Sequence, residues 1–363
     1  MSRRPTRKQP TGAASATAQV AALRPAYRAD LEAGVDRFFE PRSSTCPWCG
    51  SERLEIRLRT SDLFQHKPGR FVLEECGSCG HVFQNPRLNR VGLEFYYRDF
   101  YDGLGEERMD KLLSSDGRSY RSRAGFVAAH TRPATWLDVG TGYGHFPHEA
   151  VTVFPDTRFD GLDLTGGVDR AQQRGWIERG YRGRFTELAG DVAGGYDVIS
   201  MFHYLEHTDD PRRELAAAAR ALRPGGYLVV EVPDPECRSS RLLGRWWLPW
   251  LQPQHLHLLP LRNLVDGLTA AGFTVLAEQH AQAHRPIDLV AAAWLGLDCV
   301  APRKDMPWFP RSPGRRQRAT RAGAIGVAAP ALLVASLLDR AAQPVAERAR
   351  LTNAYRVLAQ LNA

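Results

Sequence analysis

Residues 136–146 read Trp-Leu-Asp-Val-Gly-Thr-Gly-Tyr-Gly-His-Phe, and this stretch decides the fold. Trp136, Leu137 and Val139 have the character of a buried strand. The strand runs into a turn with glycines at alternate positions, Gly140, Gly142 and Gly144, and a helix is expected just after. Side chains at these places would hold a ligand off the main chain, and the helix start adds free amide donors. The ligand expected there is a nucleoside. A dinucleotide fingerprint needs its third glycine three residues after the second, where this chain has His145. Asp138 at the strand's end would also repel a pyrophosphate, and it suits a cation.

The next apolar run, Arg158-Phe-Asp-Gly-Leu-Asp163, alternates and ends on a carboxylate about twenty residues past the turn. At the tip of a neighbouring parallel strand, Asp163 can accept both hydroxyls of a ribose. With these two acidic strand ends the chain resembles the class I S-adenosylmethionine-dependent methyltransferases. Gly195-Tyr-Asp-Val-Ile-Ser-Met-Phe-His-Tyr-Leu-Glu-His207 is similar to the family's fourth strand and active-site loop. Ala221-Leu-Arg-Pro-Gly-Gly-Tyr-Leu-Val-Val-Glu-Val-Pro233 is similar to its helix end, glycine turn and fifth strand. Leu261–Gly272 followed by Phe273–Ala277 resembles its last helix–strand unit. The resemblance implies an α/β, Rossmann-like doubly wound sheet with S-adenosylmethionine held by Asp138, Gly140, Gly142, Gly144 and Asp163. It also implies a polar adenine contact after the third strand, for which Glu187 and Asp191 are candidates. An unrelated α/β fold with a chance glycine turn would not supply the whole ordered set.

Methyl transfer from a sulfonium requires alignment, exclusion of water and, for an oxygen or carbon acceptor, removal of a proton. Enzymes that methylate amino groups of bases commonly place Asn/Asp-Pro-Pro-aromatic after the fourth strand. This chain has Phe202-His-Tyr-Leu-Glu-His207, which suits an oxygen or carbon acceptor. His203 and His207 are candidates for positioning or deprotonating the acceptor. A second cluster, Trp246-Trp-Leu-Pro-Trp-Leu-Gln-Pro-Gln-His-Leu-His-Leu258, adds His255 as a candidate general base. Its indoles either form a stacking platform for the acceptor or pack an interdomain core. On an extended segment His255 and His257 would point the same way, yet a metal site there lacks a third carboxylate ligand. Tyr96, Tyr97 and Tyr101 either face the site or pack the linker onto the sheet.

Six cysteines include two Cys-x-x-Cys pairs, Cys46/Cys49 and Cys76/Cys79, each followed by glycine. Alternating segments between them, Leu54–Arg59 and Arg70–Glu74, predict a hairpin that brings the pairs together. Four thiolates so arranged make a closed tetrahedral site, so structural Zn2+ is expected. Such a small ribbon draws much of its folding energy from the metal. Arginines and carboxylates are interspersed across it, a poor phosphate-tracking surface, so nucleic acid is not the expected partner.

The net charge of +8 comes largely from Arg-rich segments at Ser2–Lys8 and Arg311–Arg321, and a 43% hydrophobic content fits a globular protein. The first twenty residues show no apolar secretory core, so cytoplasmic localisation is expected. Residues 1–40 read as a basic tail and lead-in helix, 41–88 as the zinc ribbon and 89–133 as an aromatic linker or lid. Residues 134–285 read as the methyltransferase-like unit and 286–363 as a helical C-terminal extension. Within the extension, Ala322–Leu338 is apolar and is expected to dock on the catalytic unit, a weak membrane-surface contact being the alternative. Asn353–Ala359 carries apolar residues at helical spacing. The function expected is methyl transfer to an oxygen or carbon of a small or carrier-linked acceptor in sugar, glycan or natural-product synthesis. The rival readings are an RNA-base methyltransferase and a non-enzymatic scaffold of the same fold.

Overall fold

The computed structural model describes residues 16–99, 116–281, 287–346 and 349–363. Its strands are β1 (Leu54–Thr60), β2 (Phe71–Cys76), β3 (Val82–Gln84), β4 (Thr135–Val139), β5 (Arg158–Asp163), β6 (Gly180–Arg182), β7 (Tyr196–Phe202), β8 (Leu222–Pro233), β9 (His257–Leu258), β10 (Phe273–Ala281) and β11 (Ala354–Leu361). Seven of them form one sheet in the order β10-β11-β8-β7-β4-β5-β6. Neighbours from β8 to β6 pair in parallel, and β11 runs antiparallel to both β8 and β10. Parallel strands covered on both faces need continuous apolar runs. Leu137, Val139, Ile199, Met201, Leu228 and Val230 supply them, all fully buried in one core cluster. Trp136, Val198 and Val229 point to the other face, against Phe146 and Phe159. Thr208-Asp-Asp-Pro211 reads as a helix cap with proline in the first turn, and the helix Pro211–Ala221 between β7 and β8 starts there. Asp210 accepts from the amides of Arg212 and Arg213, and proline occupies the first turn.

The hairpin expected between the cysteine pairs is present, with β1 antiparallel to β2. The small sheet continues through β3 to β9, with Val82 opposite Leu258 and Phe83 opposite His257. Its fourth strand therefore comes from the segment after β8. Trp247 and Trp250 are buried and meet edge-on, packed with Leu73, Val82 and Leu258. Of the two readings of the tryptophan cluster, these two indoles follow the packing one.

The C-terminal extension is not helical throughout. Helices Asp288–Val300 and Arg315–Ala346 are present, but Asn353–Ala359 leads into and forms most of β11. Tyr355, Val357 and Ala359 face one core while Leu358 faces the other, the period of two of a strand. In so short a run that period is hard to tell from helical spacing. Tertiary context decides it, because the facing edges of β8 and β10 would otherwise lose their ladder partners. The apolar stretch Ala322–Leu338, expected to dock on the catalytic unit, lies in the long helix Arg315–Ala346. Its helix packs on Asp288–Val300, where Asp339 accepts from the amides of Leu289 and Val290.

Leu358→Ala should cost about 2–5 kcal/mol, the usual range for truncating a fully buried leucine. Val327→Ala, at a position 85% exposed, should change stability by less than about 0.5 kcal/mol. Urea unfolding of the two variants checks the contrast.

Candidate active site

The glycine turn leaves β4 and faces the tip of β5. Gly140, Gly142 and Gly144 all adopt positive φ, where a β-carbon is strained. They differ in what a side chain would meet. A β-carbon at Gly140 would lie 2.9 Å from the Tyr204 ring, and one at Gly144 would lie 2.7 Å from Ala171. At Gly142 nothing stands within 4 Å, so this glycine is the one that opens onto free space. The Gly142 amide donates to Asp163 at 2.9 Å, and the other Asp163 oxygen accepts from the amide and hydroxyl of Thr165. Asp163 is thus fixed beside the turn and partly exposed. Asp138 is buried, and burial pushes its carboxyl up to about 7 against the hydrogen bonds of Ser200 and Thr141. Glu187 and Asp191, the adenine candidates, are both exposed.

Tyr204 against Gly140 means that the loop after β7 lies over the turn. Two residue sets in this loop have opposite charge states. His203, at φ 53°, sits between carboxylates, with Nδ1 3.0 Å from Glu206 and Nε2 3.2 Å from Glu231. Burial favours its neutral form, but the hydrogen bonds to both carboxylates prevail and raise it to about 9. Glu231, at the end of β8, is fully buried and also receives Arg123 and Arg356 at 2.6–2.8 Å. Despite burial these guanidinium groups hold it well below the usual carboxylate range. The two carboxylates thus favour the charged form of His203, which suits it to positioning better than to taking a proton.

His207 and His255 are the opposite case. Their rings meet edge-on at 4.5 Å. Burial lowers the pKa of His207, and burial with the His207 ring beside it pushes His255 down to about 3. Nδ1 of His207 lies 3.1 Å from the Gln254 carbonyl and 2.6 Å from the Tyr97 hydroxyl. Nδ1 of His255 lies 2.7 Å from the Pro249 carbonyl. A carbonyl only accepts, so each Nδ1 carries the hydrogen and each Nε2 keeps its lone pair. Glu206 stays ionised, because the His203 hydrogen bond and charge outweigh its burial. Ligand atoms of Glu206, His207 and His255 all lie within 4.8 Å of one another. The carboxylate that the sequence did not supply beside His255 is therefore Glu206, and this trio can hold a proton or a cation among its members. His255 and His257 part company: His257 stacks on His81, with 3.2 Å between their ring nitrogens.

In the ribbon, Cys46 and Cys79 sulfurs are 3.7 Å apart and those of Cys49 and Cys76 are 3.6 Å apart, none of them bridged. Bonds of about 2.3 Å to a tetrahedral zinc place sulfurs roughly 3.8 Å apart, so the set fits that ion.

Residues 108–278 match the profile of a family described as "Methyltransferase domain". With the glycine turn and Asp163 in place, the family follows. The chain carries a class I S-adenosylmethionine-dependent methyltransferase domain. A ubiquinone biosynthesis O-methyltransferase of Xanthomonas axonopodis pv. citri (strain 306) is 28% identical over 144 residues, 37% of this chain and 59% of the relative. Another of the same description, from Bordetella avium (strain 197N), is 27% identical over 33% of this chain and 52% of the relative. The chain thus spans about half the length of the curated relatives it matches. A crystal structure of a SAM dependent methyltransferase from Archaeoglobus fulgidus covers 73% of this chain and 98% of its own, at 14% identity and a TM-score of 0.43.

Within the methyltransferase domain, sequence reading missed Arg123, Glu231 and Arg356, and gave Glu206 only a minor place. An ionisable residue inside an apolar run is the signal that marks Glu231 (Leu-Val-Val-Glu-Val) and Arg356 (Ala-Tyr-Arg-Val-Leu). Of the linker tyrosines, Tyr96 is buried against Phe38 and Phe71, Tyr97 reaches His207, and Tyr101 lies outside the described residues.

The raised pKa of His203 carries a sign. Its folded value is about 9 against about 6.5 unfolded, so it stabilises the fold below pH 6.5 and loses that contribution as pH rises through 9. Urea unfolding at pH 6.5 and 9.5 should show a loss of about 3 kcal/mol in the wild type that His203→Gln lacks.

Proposed function

We propose that the protein transfers a methyl group from S-adenosylmethionine to an oxygen or carbon of a small or carrier-linked acceptor, of the sugar, glycan or natural-product kind, in the cytoplasm. The observation that carries this reading is the pair of imidazoles, His207 and His255, that meet edge-on with each Nδ1 facing a carbonyl, in and beside the loop that covers the glycine turn. The O-methyltransferase relatives support an oxygen acceptor.

The turn fits the cofactor because Gly142 opens onto free space beside an anchored carboxylate. Asp163 would hold the ribose and Asp138 would face the positive end of the ligand, which would keep that buried carboxyl ionised. Bound S-adenosylmethionine supplies an electrophilic methyl group on a sulfonium, a leaving group that needs no acid. The protein then has to orient the acceptor and take its proton. His207 Nε2 is the base assigned to that task, with the Gln254 carbonyl fixing its tautomer and Tyr97 bracing the ring. The charged His203 orients Glu206 and keeps that carboxylate from competing for the proton. His255 packs on the His207 ring and keeps water from its edge. We assign structural zinc to the four cysteines.

Asp163→Ala should weaken S-adenosylmethionine binding by about tenfold or more in calorimetry. His207→Asn should lower the transfer rate about 10²–10⁴-fold while leaving cofactor affinity within a factor of about two. Wild-type protein that binds no S-adenosylmethionine would overturn the assignment.

Emission spectrometry should find one zinc per chain, lost in Cys49→Ser/Cys76→Ser. Stripping the metal should lower the melting temperature by more than about 5 °C.

A further inference from the structure

The hairpin formed by helices Asp288–Val300 and Arg315–Ala346 has its polarity inverted. A helix on a soluble surface turns its polar face to water. Here the outward face of the longer helix carries Val327, Leu333, Val334, Leu337 and Leu338, each 52–85% exposed. Their spacing of three, four and seven puts them on one stripe. This helix is long and apolar enough to cross a membrane, yet only 6% of its apolar window is buried. The shorter helix adds Trp294 and Val300, 39% and 84% exposed.

Charge is sorted just as strictly. The two helices contain three carboxylates, Asp288, Asp298 and Asp339, and all are less than 10% exposed. Asp288 accepts from Asn353, Asp298 pairs with Arg321, and Asp339 caps the shorter helix. The arginines face out: Arg311, Arg315, Arg316 and Arg318 are exposed at one end of the apolar stripe, and Arg340 follows it.

We propose that this hairpin seats the protein on an anionic membrane surface, with the apolar stripe at the acyl boundary and the arginines among the headgroups. Apolar area and cationic flank are the two contributions that interfacial helices combine. The helix is placed along the surface and not across it, because Asp339 near its C-terminal end accepts from the first turn of the shorter helix, whose Asp288 is held by Asn353 beside the sheet. The inference is independent of methyl transfer.

Flotation of the zinc-loaded full chain with vesicles tests it. Phosphatidylcholine vesicles containing phosphatidylglycerol should carry the protein upward, pure phosphatidylcholine much less, and salt should weaken the effect. Val334→Glu/Leu338→Glu should lower vesicle binding about tenfold or more with melting temperature and S-adenosylmethionine affinity unchanged. Arg315→Glu/Arg316→Glu/Arg318→Glu should remove the salt-dependent part. Wild-type protein that stays at the bottom with anionic vesicles overturns the proposal. So does a dimer in sedimentation that the Val334→Glu/Leu338→Glu variant dissociates, since a second copy would then cover the stripe.

Discussion

The main chain of Leu256 holds the molecule's two parts in register. Its carbonyl accepts from the Gln84 amide of the ribbon at 2.9 Å, and its amide donates to the Glu206 carbonyl of the active-site loop at 2.7 Å. One residue is therefore bonded to both the small sheet and the loop that covers the glycine turn. On one side of it His255 meets His207, and on the other His257 meets His81. His81 in turn lies 3.7 Å from the Cys46 sulfur. Arg212, in the helix after the loop, donates to the Trp48 carbonyl and covers the Trp48 ring at 4.1 Å. The ribbon is thus packed and hydrogen-bonded against the segment that carries His255.

Charge sorting inside the site follows from what surrounds each histidine. Glu231 draws Arg123 from the helix Gly117–Ala128, Arg356 from β11 and His203 from the loop after β7. Removing one partner from such a buried group typically costs about 3–5 kcal/mol, so the three contributors are locked together. His203, wedged between two carboxylates, favours its charged form, while burial favours the neutral form of His207 and His255, whose Nδ1 atoms face carbonyls. Environments of this kind separate the pKa values of like groups.

Legibility in the sequence tracked how local each signal is. The glycine turn, both acidic strand ends, the cysteine pairs and the Asp210 cap lie within a few residues of what they act on, and their reading needed no tertiary information. The hairpin of β1 and β2 was equally plain. β11 was not, because the edges that make it a strand belong to β8 and β10, and its eight residues hold too few turns to settle a period. Glu206 escaped for a related reason: its closeness to His255 arises only when the chain returns through Leu256. His255 and His257, expected on one side, serve different partners because the ribbon strand β3 claims the second of them. Composition leaves the tryptophans open between a ligand platform and an interdomain core, and Trp247 and Trp250 take the packing role against Leu73 and Val82 of the ribbon.

The misread strand also explains where the exposed hairpin is rooted. The chain leaves the sheet at the end of β10, forms the two apolar helices, and returns to start β11, whose Ala354 stands opposite both Ala281 and Pro233. Pro233 is the last residue of β8, a strand parallel to β7 and, through it, to β4. Asn353 ties this junction together, its side chain donating to Asp288 and its carbonyl accepting from the Asp234 amide. The hairpin therefore springs from the carboxyl edge of the sheet, the same edge that carries the glycine turn and the histidine loop. Ligand sites of open α/β sheets lie at that edge. A ligand at that edge would lie on the side from which the hairpin also springs, so the placement of the hairpin and that of the candidate site answer to one topological fact.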